Sequence, residues 1–160
     1  MDIAIVGATG NVGRKTLEVL EKKDLSIDNL HLLASSKSVG KKILYKGKEL
    51  EVIDLTSFDF SKVKVAFFAA GGEISEKFAL RAADKCIVID NSSKFRMDPD
   101  VPLIVPQVNS DALKNIKKNI IANPNCSTAQ LVIALKPLHD LFVIKRIVVS
   151  TYQSVSGGGK

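Results

Sequence analysis

Only two cysteines and two histidines occur among the 160 residues, too few for a disulfide framework, and no metal site is expected from them. Cys86 and Cys126 stand forty positions apart, outside any Cys-x-x-Cys pair, which fits free thiols in a reducing compartment. Long apolar runs are missing too: stretches such as 65–70 fall far short of the roughly 18 residues a membrane helix needs, so no membrane partner is expected. The opening Met1-Asp2-Ile3-Ala4-Ile5-Val6 has no basic region and meets Gly7 too early for a secretion signal, so a cytoplasmic location is expected. Aromatic residues make up 6% of the chain. The 23 basic residues outnumber 17 acidic ones, but nineteen are scattered lysines without the aromatic interleaving of a strand binder. That distribution argues against a nucleic-acid partner and leaves one or two cations for a phosphorylated small molecule.

What is present is a globular chain. Hydrophobic residues reach 46% and charged residues 25%, in a length near that of one compact domain. Short β-branched runs alternate with helical segments, the pattern of βαβ units on a mostly parallel sheet with flanking helices, a Rossmann-like α/β class. Strands are predicted over 3–6, 31–34, 48–54, 63–70, 86–90, 119–122 and, longest, 143–152. Helices are predicted over 12–22, 75–85, 111–118 and 127–135. Val12, Leu17, Val19 and Leu20 are available for the buried side of the first. Pro99, Pro102 and Pro106 interrupt the periodicity after Asn91. The chain closes on Gly157-Gly158-Gly159-Lys160, an unusual end for a folded domain, so it is expected to be cut before its next element.

Gly7-Ala8-Thr9-Gly10-Asn11-Val12-Gly13 follows the first strand and opens the first helix. Glycines at this spacing permit a tight turn and close approach of a pyrophosphate, whose charge meets backbone amides and the positive helix end. Where NAD-specific folds place an acid at the end of the second strand, this sequence has Ala34-Ser35-Ser36-Lys37-Ser38. Two hydroxyls and a cation suit a 2′-phosphate, so NADP is the expected cofactor.

Asn123-Pro124-Asn125-Cys126-Ser127 lies between a strand and an apolar helix. The positive end of that helix favours a nucleophilic thiolate at Cys126, whereas Cys86 begins an apolar strand and reads as buried. A thiolate beside a nicotinamide suggests aldehyde oxidation or its reverse through a thioester. Such chemistry calls for a proton acceptor, and neither histidine can serve. His139 is thirteen residues on, roughly 20 Å along a straight helix at 1.5 Å per residue, and His31 begins a strand whose ligand end lies at its other terminus.

Those motifs, with Asp90-Asn91-Ser92-Ser93-Lys94-Phe95-Arg96-Met97, Val105-Pro106-Gln107-Val108-Asn109 and Tyr152-Gln153-Ser154-Val155-Ser156-Gly157, make the chain resemble the aspartate-semialdehyde dehydrogenases, collinearly along its whole length. The resemblance implies NADPH-dependent reduction of β-aspartyl phosphate to aspartate semialdehyde with release of phosphate, in lysine, threonine, methionine and diaminopimelate biosynthesis. It makes Cys126 the nucleophile and Gln153 a substrate-orienting residue, with Arg96 and Asn125 on the phosphate. The cofactor falls to Gly7, Thr9, Gly10, Asn11, Val12, Gly13, Ser35, Ser36 and Lys37, with Gly71 near the ribose and nicotinamide. It also implies an NADP-binding domain over 1–125 and, over 126–160, the truncated start of a second α/β catalytic and dimerisation domain. The catalytic histidine and a carboxylate-binding arginine belong to a second half outside this sequence, so this chain alone is expected to be inactive and the intact parent a homodimer. Lys37 replaces a common arginine, Gln107 a frequent glutamate and Gly158 a usual alanine.

Three other readings are weaker. N-acetyl-glutamyl-phosphate reductases usually carry glycine before and an aromatic after the cysteine, unlike Asn125 and Ser127. Short-chain reductases need Tyr-x-x-x-Lys, and Tyr152 is followed four positions on by Ser156. A non-catalytic NADP-binding module is the alternative from another class.

Overall fold

A computed structural model describes residues 1–154. The first strand, β1 (Ile3–Val6), is buried at every position, as a strand covered on both faces must be. It is followed by α1 (Asn11–Lys22), β2 (Leu30–Ala34), β3 (Lys42–Tyr45), β4 (Lys48–Asp54), β5 (Val65–Phe68), α2 (Gly72–Ala83), β6 (Ile87–Asp90), the single turn α3 (Pro106–Asn109), β7 (Ile120–Ala122) and α4 (Cys126–Phe142). The seven strands form one sheet in the order β3-β4-β2-β1-β5-β6-β7. All neighbours are parallel except the β3–β4 pair.

The chain runs outward from β1 through β2 to β4, then returns across β1 to lay down β5, β6 and β7. The strand order therefore reverses beside β1, and the crevice at the carboxyl ends of β1 and β5 is where such sheets receive a ligand. Alternate β1 residues serve the two faces. Ala4 and Val6 join Phe60, Phe68 and Ala79 under α2, while Ile5 joins Leu17, Leu20, Leu32 and Val52 under α1.

Five expectations need correction, the first being the helix predicted over 111–118, which is a 3₁₀ segment over Ser110–Asn115. Val12 and Val19 are 52% and 44% exposed, so α1 packs through Gly13, Leu17 and Leu20 instead. β3 adds a strand outside the expected set, and its two-residue turn at Lys46-Gly47 puts both residues at positive φ, the twist that joins adjacent antiparallel strands. The helix expected over 127–135 continues through Pro137 to Phe142. No strand forms over 143–152: its β-branched residues supply propensity, but a strand needs an edge to pair with. The edge beyond β7 is instead met by 102–104, where Ala122 N–H donates to Pro102 O and Ile104 N–H to Ala122 O. Residues 155–160, including Gly157-Gly158-Gly159 and the end of the Tyr152–Gly157 motif, lie outside the described residues.

Candidate active site

The glycine turn is shaped by contacts that exclude side chains. Gly7 adopts φ +85°, and a Cβ there would lie 2.8 Å from Ala69 O across the crevice. At Gly13 a Cβ would lie 2.2 Å from Gly7 O, so only glycine lets α1 sit this close to the turn. Gly10 is different: it is exposed, and a Cβ would meet only Gly7 O, at 3.4 Å. Gly10 caps α1 without a side-chain hydrogen bond, the first turn holds no acid, and Asn11 and Val12 are exposed beside it, with Thr9 half-buried. The opening amides of α1 are thus left open beside the glycine turn, as a bound pyrophosphate would require. Across the crevice, Gly71 adopts φ +88° and caps α2, with open space where a Cβ would stand.

Beyond β2, Ser35 caps a 3₁₀ turn over Ser36–Ser38, and Ser35, Ser36 and Lys37 are exposed. Lys37 has no ion-pair partner among the described residues. The nearest acid in register is Asp54, opposite Ala34 on β4. Its Oδ1 accepts from the Thr56 amide at 2.7 Å and the Thr56 hydroxyl at 2.8 Å, contacts that hold its carboxyl below the usual range. A nicotinamide dinucleotide fits these residues: the cradle is one that added Cβ atoms would fill, and its second-strand end carries hydroxyls and a cation.

The ends of β6 and β7 carry the second cluster. Cys126 is the first residue of α4 and is exposed. Asn125 caps the helix, its Oδ1 accepting from the Ser127 amide at 2.9 Å and hydroxyl at 2.7 Å, while the Cys126 Sγ lies 3.8 Å away. This occupies the carbonyl end of Asn125 and leaves its Nδ2 without a partner among the described residues. Arg96 Nε donates to Asn123 O at 2.9 Å, and its Nη2 donates to Asn91 O at 3.0 Å. One edge of the guanidinium fork is thereby fixed, and Nη1 has no hydrogen-bond partner among the described residues. Asn123 Nδ2 completes the frame by donating to Asn91 Oδ1 at 2.7 Å.

Beneath that frame lies a clamp that sequence reasoning missed. Asp90 is fully buried at the end of β6 and accepts from Ser75 Oγ at 2.6 Å and Ser92 Oγ at 2.6 Å, with the Ser92 amide at 3.2 Å. It ties α2 to the loop that carries Asn91 and Arg96. The available signal was an acid ending an apolar strand and followed by Asn-Ser-Ser, a carboxylate that folding could bury only with donors around it.

The structure therefore gathers the glycine cradle, Gly71, Ser35 to Lys37, Arg96, Asn125 and Cys126 at one end of the parallel strands. Gln153 is not tied to them; it is exposed in 143–154 and no hydrogen bond links it to Cys126. Cys86 is buried with its thiol on Ala82 O at 3.3 Å, and burial pushes that thiol up to about 11. His139 lies on α4 itself, thirteen residues from Cys126, and lines a cavity of about 360 Å³ between α4 and residues 144–147. His31 sits near the start of β2 with its ring 5.2 Å from that of Phe58, and burial holds it below the usual histidine range. Neither histidine reaches the thiol.

Comparison with known proteins shows which family carries this fold. A family model described as semialdehyde dehydrogenase, NAD binding domain, matches residues 2–116. An aspartate-semialdehyde dehydrogenase from Aquifex aeolicus is 55% identical over 98% of this chain and 47% of its own length. The crystal structure of aspartate semialdehyde dehydrogenase II from Vibrio cholerae, complexed with ASA, is 52% identical with a TM-score of 0.96, over 99% of this chain and 48% of that one. The aspartate semialdehyde dehydrogenase from Candida albicans, solved with NADP, is 31% identical with a TM-score of 0.70, over 88% and 47%. The chain spans about half the length of the curated relatives it matches.

Proposed function

Because the chain belongs to the semialdehyde dehydrogenase family through its NAD-binding domain, we propose that the whole protein reduces β-aspartyl phosphate to aspartate semialdehyde with release of phosphate, using NADPH, in amino-acid biosynthesis. The observation that supports this reading most is an exposed thiol at the head of α4, on the same sheet end as the open glycine cradle. Residues 1–125 form the NADP-binding domain of the reading, and 126–160 open a second, catalytic and dimerisation domain. The apolar outer surface of α4, with Leu141 and Phe142 about three-quarters exposed, suits a homodimer of the whole protein. Two free thiols and no membrane-length helix among the described residues suit a cytoplasmic location.

Each residue has a stated task. Gly7, Gly10 and Gly13 shape the cradle, the amides of Thr9, Asn11 and Val12 meet the pyrophosphate, Gly71 borders the nicotinamide side, and Ser35, Ser36 and Lys37 take the 2′-phosphate. The Cys126 thiolate attacks the acyl carbon of the substrate, the carbon–oxygen bond to phosphate breaks, and a thioester forms as phosphate departs. Arg96 Nη1 and the Asn125 amide stabilise the departing dianion. A nicotinamide held by the cradle would supply hydride at the thioester carbon, and Cys126 is the group that leaves as thiolate when the aldehyde is freed. Gln153 orients the substrate carbonyl when the rest of the protein brings it beside Cys126.

The test is NADPH oxidation by the full-length protein with β-aspartyl phosphate, monitored at the nicotinamide absorbance. The reading requires turnover that Cys126→Ser removes and Cys86→Ser leaves standing. Cofactor binding without turnover in the full-length protein would make the chain a nucleotide-binding module instead.

A further inference from the structure

We propose that Arg14 is a second cation for the 2′-phosphate of NADP, setting the choice between NADP and NAD together with Lys37; this rests on the cofactor reading above. Arg14 lies in the first turn of α1, where a positive charge opposes the helix dipole and no acid is present to offset it. Such a cation gains stability when an anion comes to the same place.

Its natural intrahelical partner is unavailable. Glu18 stands four residues on, at the spacing that pairs charges along a helix, but its two oxygens are held by Lys15 and Lys22, each at 2.7 Å. The guanidinium turns to the glycine loop instead, where Nε donates to Thr9 O at 3.3 Å. No other hydrogen bond or ion pair engages it among the described residues, so both terminal nitrogens are free beside the phosphate cradle.

The side of α1 decides which phosphate it serves. Arg14 shares a groove with Leu17, Glu18, Glu21, Ile43, Leu44 and Tyr45, which places it on the flank of α1 that faces β3. In the order β3-β4-β2-β1-β5 this is the half of the sheet that carries Ser35, Ser36 and Lys37, away from β5 and Gly71. A cation there meets the adenosine end of the cofactor. Lys37 offers a point charge, whereas the free edge of Arg14 offers the planar fork that grips a phosphate through two hydrogen bonds.

Equilibrium binding of NADPH, NADH and adenosine 2′,5′-bisphosphate to the full-length protein tests this by calorimetry, in wild type, Arg14→Gln, Arg14→Lys and Lys37→Gln. Arg14→Gln should weaken NADPH and the bisphosphate by roughly tenfold and NADH by less than about twofold, with Arg14→Lys between. A Tm matching wild type in Arg14→Gln, or the intermediate affinity of Arg14→Lys, separates this from a folding defect. Equal weakening of NADPH and NADH would assign Arg14 to the shared pyrophosphate and overturn the proposal, as would unchanged binding of all three. A wild type that prefers NADPH while Arg14→Gln keeps that preference rejects Arg14 alone. A wild type that binds NADH as tightly as NADPH rejects the NADP reading itself, and the role of Arg14 with it.

Discussion

Residues 1–122 and 125–154 are both rich in apolar side chains, yet every buried hydrophobic residue belongs to the first region. The strands of the sheet cover one another and are covered by α1 and α2. In the second region α4 buries none of its seventeen residues, and Leu138, Leu141, Phe142, Val143, Ile147, Val148 and Val149 stand open. Composition alone does not make a core; a face needs an opposing face. Cys126 sits where the two regions meet, so its exposed thiol is placed by the completed sheet and presented by the uncovered helix.

Matched truncations should break this symmetry most strongly. Phe68→Ala, at a fully buried position stacked on Phe60, should cost about 3–5 kcal/mol. Leu141→Ala, 75% exposed, should stay within about 0.5 kcal/mol. Urea unfolding of the two variants reads both values, and equal losses would mean that α4 is covered as well as the sheet is.

Gly13→Ala probes the sheet side at the cradle. The 2.2 Å approach to Gly7 O forces α1 outward, at a cost of about 2–3 kcal/mol and with loss of NADPH binding. Gly47→Ala, where a Cβ meets nothing but φ is +78°, should cost about 1 kcal/mol and leave binding intact.

The buried clamp is the next test. Ser75→Ala removes one donor from Asp90 and should cost about 1–3 kcal/mol, with weaker phosphate binding because the Asn91 and Arg96 frame rests on it. A stability unchanged in denaturant would show that water replaces the hydroxyl.

These contrasts also mark what the sequence made legible. The central strands, the glycine cradle and the start of α4 were readable because each depends on residues adjacent in the chain: Ile3–Val6 is apolar throughout, and Gly7 to Gly13 carry their spacing with them. The failures depended on neighbours distant in sequence. Val12 and Val19 look like core residues on a helical wheel, but the sheet meets α1 through Gly13 and its neighbouring turns. The run 143–152 has strand propensity but no edge to pair with, and Asp90 shows its role only when Ser75 and Ser92 surround it. Lys46-Gly47 was a hairpin signal that the short flanking strand concealed.

The smallest expected effect lies at the end of α4, where Val143, a β-branched residue, adopts φ +52°. Val143→Gly removes that steric conflict and should strengthen the last helical turn by up to about 1 kcal/mol. Amide exchange of that turn should slow, while exchange in β1 stays as it was.

The central claim is that Cys126 is the nucleophile, presented by the fold of this chain independently of turnover. Incubating the 160-residue chain with freshly prepared β-aspartyl phosphate, without NADPH, and mapping any adduct by mass spectrometry addresses it directly. The account predicts a thioester on Cys126 with matching release of phosphate and an unmodified Cys86, whose buried thiol is pushed up to about 11. Absence of an adduct in a folded sample, or acylation of Cys86 in its place, would contradict it.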